Sequence, residues 1–129
     1  MSDLAILCVD DEVIILNSLK EQLKRRFGSQ YIYEVAESAE EAWEVIEELQ
    51  EDEINVIVIV SDWLMPGMKG DEFLIKVHQQ YPQLVKVMLT GQAEETAIKK
   101  AQEKANLHAC LHKPWTEEQL AQVITSALE

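Results

Sequence analysis

The sequence predicts an α/β fold: a parallel five-stranded sheet with helices on both faces. Three observations predict it. Five short β-rich apolar segments recur along the chain, and every connection between them is long enough to hold a helix. Helical apolar spacing fills those connections, and such alternation favours parallel strands joined by right-handed crossovers. The strand ends carry the third signal: Asp10-Asp11, Asp62, Thr90 and Lys113 each stand where an apolar segment stops.

The elements follow in order. Leu4 to Val9 is a short apolar run, expected to be a strand buried on both faces. Leu16, Leu19, Leu23 and Phe27 then repeat at helical spacing, and Gly28 closes that helix. Tyr31 to Ala36 is the second strand. Ser38 is a helix N-cap, and Glu41 three residues on completes a capping box. The second helix carries Ala42, Trp43, Ile46 and Leu49 on one side. Asn55 to Ser61 contains an unbroken VIVIV run and is expected at the centre of the sheet. Met65 to Gly70 is a turn-rich loop. The third helix, with Phe73, Leu74, Val77 and Tyr81, stops at Pro82. Leu84 to Leu89 is the fourth strand, and Glu94 to Ala105 a helix whose apolar face is mostly alanine and therefore lightly anchored. Leu107 to His112 is the fifth strand. Thr116 caps a last helix with Leu120, Val123, Ile124, Ala127 and Leu128 inward. No linker or repeat interrupts the series, so residues 1–129 are expected to form one domain.

Bulk properties narrow the function. The chain has 129 residues, 47% hydrophobic and 27% charged, an ordinary globular composition. Its formal charge of -13 opposes direct nucleic-acid binding, which needs phosphate neutralisation by Lys and Arg. The basic cluster Lys20, Lys24, Arg25 and Arg26 reads as a solvated helix face. Cys8 and Cys110 sit in apolar segments and read as small buried hydrophobes in a reducing, cytoplasmic compartment. No apolar run reaches the ~20 residues needed to span a bilayer, and the start of the chain has no secretory pattern.

The strand ends supply the chemistry. In a flavodoxin-like order, 2-1-3-4-5, the first and third strands are neighbours, so Asp10, Asp11 and Asp62 meet at one sheet edge. Three carboxylates that close repel, and a hard divalent cation such as Mg²⁺ relieves the repulsion. For Asp10-Asp11 alone the competing reading is a helix N-terminus with favourable dipole placement. Thr90 offers a hydroxyl and Lys113 an ammonium to a phosphoryl oxygen. Taken singly, Thr90 reads as a turn residue and Lys113 as a surface lysine. Together the five residues describe a phosphoryl site.

The ordered set Asp10-Asp11, Asp62, Met65-Pro66-Gly67 with Gly70, Thr90-Gly91 and Lys113-Pro114 resembles the receiver domains of two-component response regulators, over essentially the whole chain. The resemblance implies that Asp62 takes a phosphoryl group from a sensor histidine kinase or phosphotransfer protein. It implies that Asp10, Asp11, Asp62 and the main-chain carbonyl of Leu64 hold Mg²⁺, and that Thr90 and Lys113 contact the phosphorylated aspartate. It further implies a switch on the face formed by the fourth helix, fifth strand and fifth helix, a possible homodimer through that face, and an effector that the sequence does not name. Any catalysis is limited to the domain's own phosphorylation and dephosphorylation.

Two positions depart from the pattern. Cys110 stands where many receivers carry a switching aromatic residue, with Trp115 as a substitute output residue or a plain packing residue. Leu64, two residues past Asp62, cannot orient a hydrolytic water, though Gln92 offers an amide near Thr90. A long-lived phosphoryl group is expected. His78 lies mid-helix without the acidic neighbour usual at a phosphohistidine, and His108 and His112 read as surface residues. A phosphatase of the haloacid-dehalogenase type would need a second aspartate two positions after its nucleophile, where Leu64 and Glu12 stand after Asp62 and Asp10.

Overall fold

The computed structural model describes residues 3–91 and 95–129. Five strands form one sheet: β1 (Leu4–Val9), β2 (Ile32–Ala36), β3 (Asn55–Asp62), β4 (Val85–Thr90) and β5 (Ala109–His112), in the order β2-β1-β3-β4-β5. Every pairing is parallel. The helices are α1 (Val13–Phe27), α2 (Ala39–Glu51), α3 (Gly70–Gln80), α4 (Glu95–Lys104) and α5 (Glu117–Leu128), with a short 3-10 turn over Gly28–Gln30. This is the expected flavodoxin-like (βα)5 sandwich. β3 is central and its last five residues are buried, as the VIVIV run requires.

Side chains alternate across the sheet into two cores. On one face Ile6, Cys8, Val58, Val60, Val87 and Leu89 pack with Leu16, Leu19 and Leu23 of α1 and Leu120 and Ile124 of α5. On the other, Leu7, Val9, Ile59 and Met88 pack with Ala42 and Ile46 of α2, Phe73, Leu74 and Val77 of α3, and Ala101 of α4. Trp43 stands edge-on to Phe73 with ring centroids 5.6 Å apart. Burial pushes the Cys8 thiol up to about 12, which leaves it an inert hydrophobe.

Local chemistry agrees with the sequence at most boundaries. Gly28 ends α1 at φ 62°, in the half of backbone space that glycine favours. Thr116 forms a full capping box with Gln119. At Ser38 the hydroxyl accepts from the Glu41 N–H at 3.0 Å, the half of the expected box that caps α2. The fifth strand is two residues shorter than expected, and β3 and β4 each run on to include Asp62 and Thr90. Gln92 and the expected first residue of the fourth helix, Glu94, lie outside the described residues.

The basic cluster on α1 is only partly a solvated face. Arg25 reaches Glu117 at 2.7 Å and Arg26 reaches Glu118 at 2.8 Å, both on α5. The pairs arise because α1 and α5 flank the same sheet face. They are exposed and contribute little to stability. Trp115 donates its indole N–H to Gln22 Oε1 at 2.8 Å and, half-buried, packs against the α1/α5 core.

Candidate functional site

The carboxyl ends of β1, β3, β4 and β5 converge on one cleft. Asp10 is the first residue after β1, Asp62 the last of β3, Thr90 the last of β4, and Lys113 the first after β5. The cleft encloses about 590 Å³ and is lined by Asp11, Glu12, Asp62, Trp63, Leu64, Met65, Pro66, Thr90, Gly91 and Lys113. A larger hollow of about 640 Å³ lies among Leu4, Tyr81, Pro82 and Leu128 at the amino ends of the strands. It lacks charged lining groups, so the chemistry belongs to the smaller cleft.

Lys113 holds the centre. Its Nζ lies 3.0 Å from Asp10 Oδ2 and 3.1 Å from Asp62 Oδ1. Its own N–H donates to the Thr90 carbonyl at 2.8 Å, and the Lys113–Pro114 peptide is cis. Asp10 is fully buried, and its Oδ1 accepts the N–H of Glu12 at 2.8 Å. That turn contact, rather than a cap on α1, is what Asp10 makes locally: the α1 N-cap is Glu12, which makes no side-chain cap bond. Asp11, Asp10 and Asp62 present ligand atoms that all lie within 4.8 Å of one another.

The electrostatics are unbalanced. Three carboxylates face one ammonium. Burial is the largest influence on Asp62 and raises its pKa above 3.8; the Lys113 bond opposes this, and Asp10 and Asp11 add to it. Burial also raises Asp10, against the Glu12 N–H and Lys113. For Lys113, burial alone would lower the pKa, but the bonds and charges of Asp10 and Asp62 hold it above 10.5. A cluster of hard carboxylate oxygens carrying excess negative charge fits a hard divalent cation, and Mg²⁺ takes a few carboxylates while keeping waters and phosphate oxygens.

Local packing fixes the loop after β3. The Trp63 N–H donates to the Leu89 carbonyl at 2.8 Å, and the Gly70 N–H donates to the Trp63 carbonyl at 2.7 Å. A Cβ on Gly70 would collide with the Asp62 carbonyl oxygen and stand 2.8 Å from Trp63 Cα. Only glycine lets α3 begin against the backbone of Asp62. Leu64 lines the cleft and is 62% exposed.

The structure thus brings Asp10, Asp11, Asp62, Leu64, Thr90 and Lys113 to one place. Sequence reasoning missed two buried polar residues, one beside the cleft and one near the amino end of β4. Asp71, on the first turn of α3, accepts the Trp63 indole N–H at 3.0 Å. Lys86, inside β4, bonds the Leu84 carbonyl at 2.6 Å and meets His78 Nδ1 at 3.0 Å. Neither carries a sequence signal that separates it from a solvated helix-start acid or a strand-edge lysine.

The model of the response regulator receiver domain matches residues 6–125. The chain belongs to this family. It is 29% identical over 124 residues to the hydrogenase transcriptional regulatory protein HoxA of Cupriavidus necator, a match covering 96% of this chain and 24% of HoxA. The receiver therefore spans about a quarter of that relative. Among solved structures, the signal receiver domain of an HD domain-containing protein from Pseudomonas fluorescens superposes with a TM-score of 0.86 at 29% identity, covering 96% of this chain and 93% of that one. A CheY-like response regulator receiver domain protein from Methanospirillum hungatei superposes at 0.83 and 31% identity, covering 96% and 92%. Among the described residues, no helix is long and apolar enough to cross a membrane.

Proposed function

We propose that this receiver accepts a phosphoryl group on Asp62 from a phosphohistidine of a sensor histidine kinase or phosphotransfer protein. One observation carries the reading: Lys113 Nζ lies within 3.1 Å of both Asp10 and Asp62, with Asp11 within metal-ligand reach of both. Three separate strand ends, those of β1, β3 and β5, have to be aligned to produce that contact.

Asp62 attacks the phosphorus in line through one carboxylate oxygen. A P–O bond forms as the P–N bond to the donor imidazole breaks, and the electron pair stays with the imidazole nitrogen. Asp10, Asp11, Asp62 and the Leu64 main-chain carbonyl would hold Mg²⁺, which when bound supplies charge neutralisation on the phosphoryl oxygens. Lys113 shifts from pairing the bare Asp62 to pairing a phosphoryl oxygen, and it stays fixed by Asp10. The Thr90 hydroxyl donates to another phosphoryl oxygen. That pull reseats the face of α4, β5 and α5, which serves a downstream effector and a possible homodimer. With Cys110 in place of an aromatic residue, the response runs through Thr90 and α4. The domain acts in the cytoplasm, does not bind nucleic acid itself, and is a signalling module rather than an enzyme.

The test is intact-mass measurement after incubation with acetyl phosphate and Mg²⁺. One phosphoryl group is expected on the wild type and none on Asp62→Asn. An unmodified wild type with its fold intact would reduce the domain to a binding module.

A further inference from the structure

A polar chain leads from the cleft to α4. Trp63 follows Asp62 directly and is 9% exposed. Its indole N–H donates to Asp71 Oδ1 at 3.0 Å. The second oxygen of Asp71 lies 3.9 Å from Lys100 Nζ on α4. Asp71 is 5% exposed although it sits on the first turn of a helix, where an acid ordinarily faces solvent. A dipole-favoured surface acid would not need to be buried.

What α4 has besides this contact is slight. Ala101 is its one buried residue among those described, with Ala97 and Ile98 packed at the edge of the core that also holds Trp63 and Met65. Alanines bury little area, so α4 is held weakly by dispersion and burial. An ion pair at its centre, anchored by a buried acid, then carries weight that the same pair would lack on a large-residue helix. The acid is itself held by a tryptophan covalently joined to the acceptor.

We propose that Asp71 is a positioning residue that couples the Asp62 pocket to the seating of α4 through Trp63 and Lys100. This rests on the reading of Asp62 as the acceptor. Lys113 and the phosphoryl group restrain Asp62 when the site is filled. Trp63 shares its backbone, so any adjustment there moves the indole against Asp71. The Lys100 contact, at the outer limit of an ion pair, changes with it. Both sites then bias one element with two arrangements, which is what physical coupling requires.

The experiment uses the whole chain and follows amide hydrogen exchange over residues 95–105, with and without Mg²⁺ and beryllofluoride, for the wild type, Asp71→Asn, Lys100→Gln and the double variant. Asparagine keeps an acceptor for the indole and sheds the charge, and Lys100 is 43% exposed, so neither change removes core packing. Without ligand, both single variants should exchange faster over α4 than the wild type, and the double variant no faster than either. Beryllofluoride should shift wild-type exchange over α4 by roughly fivefold, and either substitution should remove most of that shift. Intact mass after acetyl phosphate should show one phosphoryl group on all four proteins. A full wild-type shift surviving in Asp71→Asn or Lys100→Gln, additive effects in the double variant, or no wild-type shift despite phosphorylation would overturn the proposal. A wild type that takes up no phosphoryl group would instead overturn the reading of Asp62.

Discussion

Replacing Asp62 with asparagine should make the metal-free protein more stable, although it deletes an ion pair. Asp62 and Lys113 lie 3.1 Å apart, an attraction of about 5 kcal/mol at an effective dielectric of ~20. Ligand oxygens of Asp62 and Asp10 lie within 4.8 Å, a repulsion of about 3.5 kcal/mol on the same scale. Asp11 is exposed, and at the dielectric of water it adds about 1 kcal/mol of repulsion. The Coulomb contributions nearly cancel, so burial decides, and it acts against the charge. The upward displacement of the Asp62 pKa, with burial as its largest cause, has the same sign. Lys113 is not stranded in the variant because Asp10 still holds it at 3.0 Å. The expected gain is about 1 kcal/mol, or roughly 3–5 °C in melting midpoint. An acid whose folded pKa lies above its ordinary 3.8 binds protons more tightly when folded. The wild-type penalty is therefore present above the folded pKa and gone below 3.8, so the variant's advantage should vanish on acidification. The assay is thermal and urea unfolding in EDTA and then in Mg²⁺. At about 100 times its dissociation constant the cation should stabilise the wild type by about 2.7 kcal/mol and the variant far less. A variant less stable than wild type in EDTA at neutral pH, or equal stabilisation of both proteins by Mg²⁺, would refute the reasoning.

Three other changes separate the parts of the site. Gly70→Ala forces a Cβ onto the Asp62 and Trp63 backbone and should cost about 1–3 kcal/mol, read as a lower urea midpoint with weakened Mg²⁺ binding. Leu64→Asn places an amide beside the acyl phosphate and should speed its decay about tenfold; an unchanged lifetime by mass spectrometry would show that Leu64 does not limit water. Lys86 is 1% exposed, and burial lowers its pKa below 10.5, so its charge destabilises the fold below the folded pKa and the penalty eases as pH rises toward 10.5. Lys86→Met should therefore be at least as stable as wild type at pH ~7, with a margin that narrows as pH rises toward 10.5, as urea unfolding across that range would show.

The cleft was legible in the sequence because strands buried on both faces read as mostly apolar runs, and the polar residues that close them, Asp10, Asp62 and Thr90, mark the sheet edge. Val9 before Asp10, Ser61 before Asp62 and Leu89 before Thr90 are all buried. The strand order put Asp10 and Asp62 on neighbours, and the structure pairs β1 with β3 in that way. The helices were legible where leucine spacing was regular, as in α1. Boundaries were less so: hydrogen bonding carries β3 and β4 one residue past their expected ends at Ser61 and Leu89, so Asp62 and Thr90 belong to the ladder itself. The register shift between Ala5 and Ile6 has no marker in a run of apolar residues.

The relay residues were invisible for a different reason. A strand end is a one-dimensional landmark, but a helix-borne partner depends on where the helix is set on the sheet. Asp71 opens a helix, where an acid is favoured by the dipole whatever it touches, and nothing in the chain says that α3 begins hard against Trp63. That follows from Gly70, whose missing Cβ admits the helix to the Asp62 backbone and so turns Asp71 inward. Lys86 repeats the lesson in β4: a lone lysine among Val85, Val87 and Met88 suggests a wet strand face, yet α3 covers that face and supplies His78. The charges that the sequence makes conspicuous sit at the ends of strands. Those that couple one element to another become recognisable only when the packing distance between a helix and the sheet is known.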